Sequence, residues 1–269
     1  MKLTKLNFYQ TRRWLFIAVL SINSSLAADK MPWQSTAFII DSFVDIALNN
    51  EYSTNTSKVR KWINPIYYQI EHRTGDQALH QKLTQTHLAH LASITGLNIV
   101  PASKKNSANL KIIFSSEKNL RHELQADFLI NNKQQIESLA QTGVCLANFS
   151  IGSGSNIIKA IVIIPVDRAR AHAKLLSCIV EELTQVLGLP NDSDKVFPSI
   201  FNDRSKDDYL SGLDLVLIKA LYHSSITTGM NIKQVRRQLN SLIESPPFQQ
   251  LILDADRKVR KQGLYRLLN

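Results

Sequence analysis

Residues 181–191 read Glu-Glu-Leu-Thr-Gln-Val-Leu-Gly-Leu-Pro-Asn and close the segment of this chain with the firmest helical pattern. At about 3.6 residues per turn, a helix over residues 170–187 places Leu175, Leu176, Ile179, Leu183, Val186 and Leu187 on one face. Cys178, Glu181, Glu182 and Gln185 fall on the opposite face, and Gly188 with Pro190 ends the helix. One side is therefore committed to a core. The other gathers two carboxylates, an amide and a sulfur, and is either the solvated side of an amphipathic helix or the floor of a cleft.

Around this helix the apolar pattern alternates between strand and helix. Residues 38–48 make an apolar helix within a polar lead-in. Ile66, Tyr67, Tyr68 and Ile70 give a strand; Gly75 and Asp76 then open a helix that carries Leu79, Leu83, Leu88, Leu91 and Ile94 and stops at Gly96. A short extended piece at 98–101 and a β-branched strand at 110–114 follow, then helix and loop over 117–140. Apolar runs at 145–151 and 157–164 flank Gly-Ser-Gly-Ser-Asn, the signal of a hairpin with a five-residue turn. Residues 191–209 read as loop. Ser211 and Asp214 set a capping box for a helix bearing Leu215, Ile218, Leu221 and Tyr222, and a further helix at 232–243 runs up to Pro246-Pro247. The tail, residues 254–269, is helical in pattern and basic through Arg257, Lys258, Arg260, Lys261 and Arg266.

The chain opens with Lys2, Lys5, Arg12 and Arg13, a short apolar run at 14–22 and the small residues Ser24, Ser25, Ala27 and Ala28. This is the layout of an export signal cleaved after Ala27 or Ala28, with residues 1–27 as the signal peptide. The location expected from it is periplasmic or secreted; no cysteine near the cut offers a lipid attachment point. The formal net charge of +10 falls to +6 without the four signal cations. That suits an anionic envelope surface or an acidic partner, with the basic tail as the contact, and carries no nucleic-acid signature. Cys145 and Cys178 are the two cysteines. In an oxidising compartment an even count favours one disulfide, which would tie the hairpin to the 170–187 helix and contribute roughly 3–4 kcal/mol. Two reduced thiols, one of them reactive, are the alternative. Of the histidines, His87 and His90 read as a partly buried or solvated pair, His172 as a packed core residue and His223 as a cation at a helix C-terminus.

The stretch around Glu182 resembles the helix of zinc peptidases, whose pattern is H-E-x-x-H-x-x-G-x-x-H. Glu182 and Gly188 match the base and the glycine, while Glu181, Gln185 and Asn191 stand in the three histidine places. Downstream, Pro198-Ser199-Ile200-Phe201 and then Asp214 to Tyr222 resemble the matrixin branch of the metzincins, with Phe201 in place of the turn methionine. The resemblance covers roughly residues 60–225. It implies an α+β fold of zincin-like, metzincin type: a mixed, largely parallel sheet with an edge hairpin, packed on two long helices, with C-terminal helices added. More closely, Cys-x-x-Glu-Glu-Leu-Thr-Gln-x-Leu-Gly-Leu-x-Asn-Asp followed by Ser-Ile-Phe-Asn-Asp is similar to the bacterial domain-of-unknown-function family 2927. That family consists of exported or lipid-anchored envelope proteins with no established activity, and in it the Glu-Glu-x-x-Gln form is the pattern itself.

The expected organisation is a signal peptide at 1–27, a lead-in with one helix at 28–58, a zincin-like domain at 59–228 and a helical extension with the basic tail at 229–269. Amide oxygens are poor zinc donors, so no metal and no cofactor is expected. The cleft candidates are Glu181, Glu182, Gln185, Asn191 and Asp192. The function they favour is a non-catalytic binding or scaffold domain of the cell envelope, its partner an envelope protein, a peptide or a glycan. The alternative is a metal-dependent hydrolase in which Glu181, Gln185 and Asn191 hold a divalent cation and Glu182 is the general base.

Overall fold

The computed structural model describes residues 31–48, 58–202, 204–205 and 208–268. The expected signal peptide lies outside the described residues. After helix α1 (Thr36–Ala47) come strand β1 (Ile66–His72), α2 (Gln77–Thr95), β2 (Ile99–Pro101) and β3 (Leu110–Ser115). Helices α3 (Leu120–Ala126) and α4 (Lys133–Thr142) lead to the hairpin β4 (Leu146–Ile151) and β5 (Ile157–Pro165). Then follow α5 (Val166–Ala171), α6 (Leu175–Gln185), α7 (Gly212–Leu221), α8 (Ile232–Ile243) and α9 (Pro246–Arg260). Among these residues no helix is long and apolar enough to cross a membrane.

The strands form one mixed sheet in the order β2-β1-β3-β5-β4, with β4 alone antiparallel to its neighbour. Parallel central strands are buried on both faces and so need apolar side chains on both. Along β3, Leu110, Ile112 and Phe114 enter the main core, while Ile113 points the other way. It joins Ile161 and Ile163 of β5 and Leu120, Leu124, Ile136 and Ala140 of α3 and α4 in a second, smaller core. On that same face Arg73 pairs with Glu71, Glu123 and Asp127, and Lys111 with Glu71 and Asp127.

The main core is continuous from α1 through α2, α6 and α7 to α8 and α9: Ile39, Phe43, Leu91, Leu183, Val216, Leu239 and Ile252 all belong to it. The lead-in helix and the last two helices therefore bury their apolar stripes on the same core as the sheet. Pro246 and Pro247 sit at the start of α9, where a missing N–H costs nothing. Arg257 and Lys258 of that helix both reach Asp254.

The helix expected at 170–187 is two helices. Residues 172–174 break it: Ala173 takes a left-handed conformation at φ 55°, and Lys174 N–H donates to Ala169 O. The break carries His172 to the surface, so this residue is exposed and not the core histidine its helical phase implied. His87 and His90 are both buried. His87 Nε2 lies 3.1 Å from Val180 O and 3.1 Å from Thr184 Oγ1, joining α2 to α6. A carbonyl only accepts, so Nε2 carries the proton in this contact.

A strap at residues 58–62 runs behind α6 and α7. Val59 exchanges backbone hydrogen bonds with Met230 and Gly229. The buried Lys61 ammonium donates to the carbonyls of Leu221, His223 and Ile226, capping the C-terminus of α7. Burial lowers its pKa to about 8.

Candidate functional site

The C-terminal end of α6 has carbonyls that no helical N–H satisfies, and the strap and the end of α7 supply partners. Trp62 Nε1 donates to Val186 O at 2.8 Å, and Tyr222 Oη donates to Leu187 O at 2.8 Å. Gly188 turns the chain at φ 115°, against the Arg60 carbonyl. The chain then doubles back. Asn191 N–H donates to Ile46 O at 3.1 Å and its side-chain amide to Asp45 O at 3.2 Å, which anchors it on the end of α1. Gln185 Nε2 donates to Asp192 Oδ1 at 2.9 Å.

The expected cleft residues are thus partly united. Glu181, Glu182, Gln185 and Asp192 share one site; the Asn191 amide is engaged with α1. Glu181 and Gln185 are half-buried, whereas Glu182 is only 6% exposed. The polar face of α6 is therefore no solvated stripe, and Cys178 on the same face is fully buried. Among the described residues the Glu182 carboxyl makes no hydrogen bond. Burial first, then the charges of Glu181 and Asp192, push its pKa well above the usual carboxylate range. The side chain accordingly favours the neutral acid, which can donate a hydrogen bond.

The turn after the loop is joined to the residue beyond Asp192, with Ser193 N–H donating to Phe201 O at 2.8 Å. Phe201 is fully buried, and its N–H donates to Ser199 Oγ at 3.1 Å. Asp214, at the start of α7, accepts from Ser199 Oγ at 2.6 Å, from Ile200 N–H at 3.2 Å and from Ser211 N–H at 2.7 Å. Burial raises its pKa to about 6, although all of these hydrogen bonds work in the other direction. The Ser211/Asp214 capping box is present as its spacing implies. Its second task, holding the 198–201 turn, is not visible in the sequence. A disulfide joins Cys145 to Cys178 with Cα atoms 5.8 Å apart, fastening the start of β4 to α6.

The donor set does not fit zinc. The places of the three histidines hold a carboxylate and two amides, and both amide nitrogens are bound within the protein. Among the described residues no group of three or more His, Cys, Asp or Glu is placed to hold a metal ion. His87, Trp62, Tyr222, Asp45 and Thr184 support the site without a local signal in the sequence; each acts across 35 or more residues.

These features define a mixed α+β domain with a carboxyl-rich site on the helix that follows the sheet. The chain belongs to the family described as "Protein of unknown function (DUF2927)", whose model matches residues 36–241, well over half of its length. No curated protein and no solved structure matches it.

Proposed function

We propose that this protein is a non-catalytic, zincin-like binding or scaffold domain of the cell envelope, exported by its N-terminal signal, which uses the α6 cleft to hold a peptide or glycan of a partner. Support for the zincin-like reading comes from the strand order with a single antiparallel edge strand, β4, tied to α6. The turn at Gly188 and the buried Phe201 in the place of the turn methionine agree with it.

The observation that carries the binding reading is Glu182: an almost fully buried carboxyl, without a protein partner, that favours its protonated form. A general base must be ionised to take a proton from water. A neutral acid at the base of a cleft instead offers a hydrogen bond to a carbonyl or hydroxyl of a ligand.

The test is a selection of displayed random decapeptides on the full chain, on Glu182→Gln and on Glu182→Ala, alongside elemental analysis of protein purified without chelator. Glu182→Gln, which keeps a neutral donor, should retain the selected consensus, and Glu182→Ala should lose it. A stoichiometric metal that leaves on Glu181→Ala, with function abolished by Glu182→Gln, would replace this reading with the metal-dependent hydrolase.

A further inference from the structure

The sheet edge opposite β4 contains a gap. β2 pairs with β1 only from Ile66 to Tyr68, whereas β3 runs beside β1 as far as His72. Ile66 N–H donates to Asn98 O, and Ala102 N–H donates to Tyr68 O, so the backbone groups of Ile66 and Tyr68 face β2. Alternation along a strand puts the N–H and C=O of Ile70 and the N–H of His72 on the same side. By then β2 has ended. Among the described residues no hydrogen bond reaches these groups from β2 or from the loop that follows it.

An open groove of about 640 Å3 occupies this place. It is lined by Ile70 and His72 of β1, Gln81 and Gln85 of α2, and Pro101 and Ser103. His72 Nδ1 is buried there without a partner. The Gln85 amide is held by the Tyr68 hydroxyl. The outward edge of β2 is guarded, because Asn98 and Ala102 turn their polar groups toward β1 and Pro101 therefore turns a nitrogen without hydrogen outward. The gap has no such guard. Among the described residues no carboxylate lines the groove, and Lys104 and Lys105 stand exposed on the loop that borders it.

We propose that this groove is a peptide-binding site, in which an extended segment of a partner protein bearing an acidic side chain adds to β1 in line with β2. The segment's backbone pairs with Ile70 and His72, and the carboxamides of Gln81 and Gln85, each both donor and acceptor, meet its polar groups from α2. Three to four extended residues, at about 3.3 Å each, span the gap. An acidic side chain reaches Lys104 and Lys105, which favours such a partner over a basic one. The groove lies at the far edge of the sheet from β4 and α6, so the inference stands apart from the function proposed for Glu182.

The test uses the full chain, 15N-labelled, and the probe acetyl-Thr-Val-Asp-Val-Thr-amide. Shift changes should centre on residues 70–72, 81–85 and 101–108, and amide exchange at Ile70 and His72 should slow about tenfold at saturation. Of two probes N-methylated on alternate residues, the one whose methyls face β1 should bind at least about tenfold more weakly while the other keeps its affinity. The exposed double change Lys104→Glu, Lys105→Glu should raise Kd about fivefold, and a probe with Lys for Asp should bind more weakly to the unchanged protein. Absence of shifts up to about 5 mM probe, shifts centred elsewhere, or equal behaviour of the two N-methylated probes would overturn the proposal. Equal binding of the Lys probe would overturn its acidic preference.

Discussion

The carbonyl oxygen of Arg60 lies where a side chain on residue 188 would begin: a Cβ added to Gly188 would sit 1.9 Å from it. That oxygen belongs to the strap and cannot move without disturbing Trp62 and Lys61. The φ of 115° adds a second demand that only glycine meets without strain. Gly188→Ala should therefore destabilise the protein by at least ~2 kcal/mol. Urea denaturation of the variant checks it; a loss below about 0.5 kcal/mol would mean that the strap is not fixed against the turn.

The Cys145–Cys178 disulfide spans 33 residues of sequence. Its removal by Cys145→Ala with Cys178→Ala should cost roughly 2–4 kcal/mol, because the unfolded chain regains the freedom of the closed loop. Denaturation of the double variant, compared with the oxidised wild-type protein, measures it. Full stability without the bridge would show that α6 and β4 hold their places by packing alone.

Two sets of buried groups respond to pH in opposite directions. Burial lowers His87 to about 3 and His90 to about 4, and it holds His72 and His80 below the usual imidazole value. Their stability contribution is present above pH ~6.5 and is lost as pH falls toward those folded-state values. Asp214, raised to about 6, does the reverse: its contribution is present below about pH 4 and is lost as pH rises through 6. Glu182, also raised by burial, acts in the same direction as Asp214. Because the four lowered histidines outnumber the two raised acids, the urea midpoint should fall on acidification from pH 7 to pH 4. Asp214→Asn should steepen that fall by deleting one of the two opposing groups. A midpoint that rises on acidification would contradict the burial of the histidines.

Glu182→Gln replaces a carboxyl that favours its neutral form with a neutral amide of the same shape. Stability at pH 7 should stay within about 0.5 kcal/mol of wild type or increase. The stability of the wild-type protein relative to this variant should decline as pH rises, since Glu182 binds its proton more tightly when folded. Parallel pH titrations of the two denaturation midpoints decide it. Curves of identical shape would place an ionised carboxylate at position 182.

Much of this architecture is legible locally. The five strands announce themselves as short apolar, aromatic or β-branched runs bounded by Gly, Pro and Asn, and α2 stops at Gly96 as its sequence directs. The break between α5 and α6 is not legible. Residues 170–174 contain neither Gly nor Pro, and Ala173 is the best helix former of all, yet it adopts a left-handed conformation. The chain must leave β5, turn and set Cys178 against Cys145, and this tertiary requirement overrides propensity. The burial of Glu182 was hidden for a similar reason. Periodicity places it on the polar face of α6, and only the return of the chain, with Asp192 bonded to Gln185 and Asn191 to α1, encloses that face. The strap is equally silent, because Lys61 looks like any surface cation until its partner carbonyls arrive 160 or more positions later.

That last separation has a consequence for how the molecule comes into being. The turn at Gly188 leans on Arg60, and the same strap is completed by Leu221, Ile226 and Met230. A nascent chain that has emerged only as far as Asp192 possesses the carboxylates and amides of the site but lacks the clasp that sets its geometry. Contacts of such long sequence range form late, after the loop-closure entropy has been met. Truncation anywhere before residue 230 should thus yield a chain with its strands intact in sequence and its recognition surface unfinished, so the last quarter of the protein is a condition for the cleft and not an appendage to it.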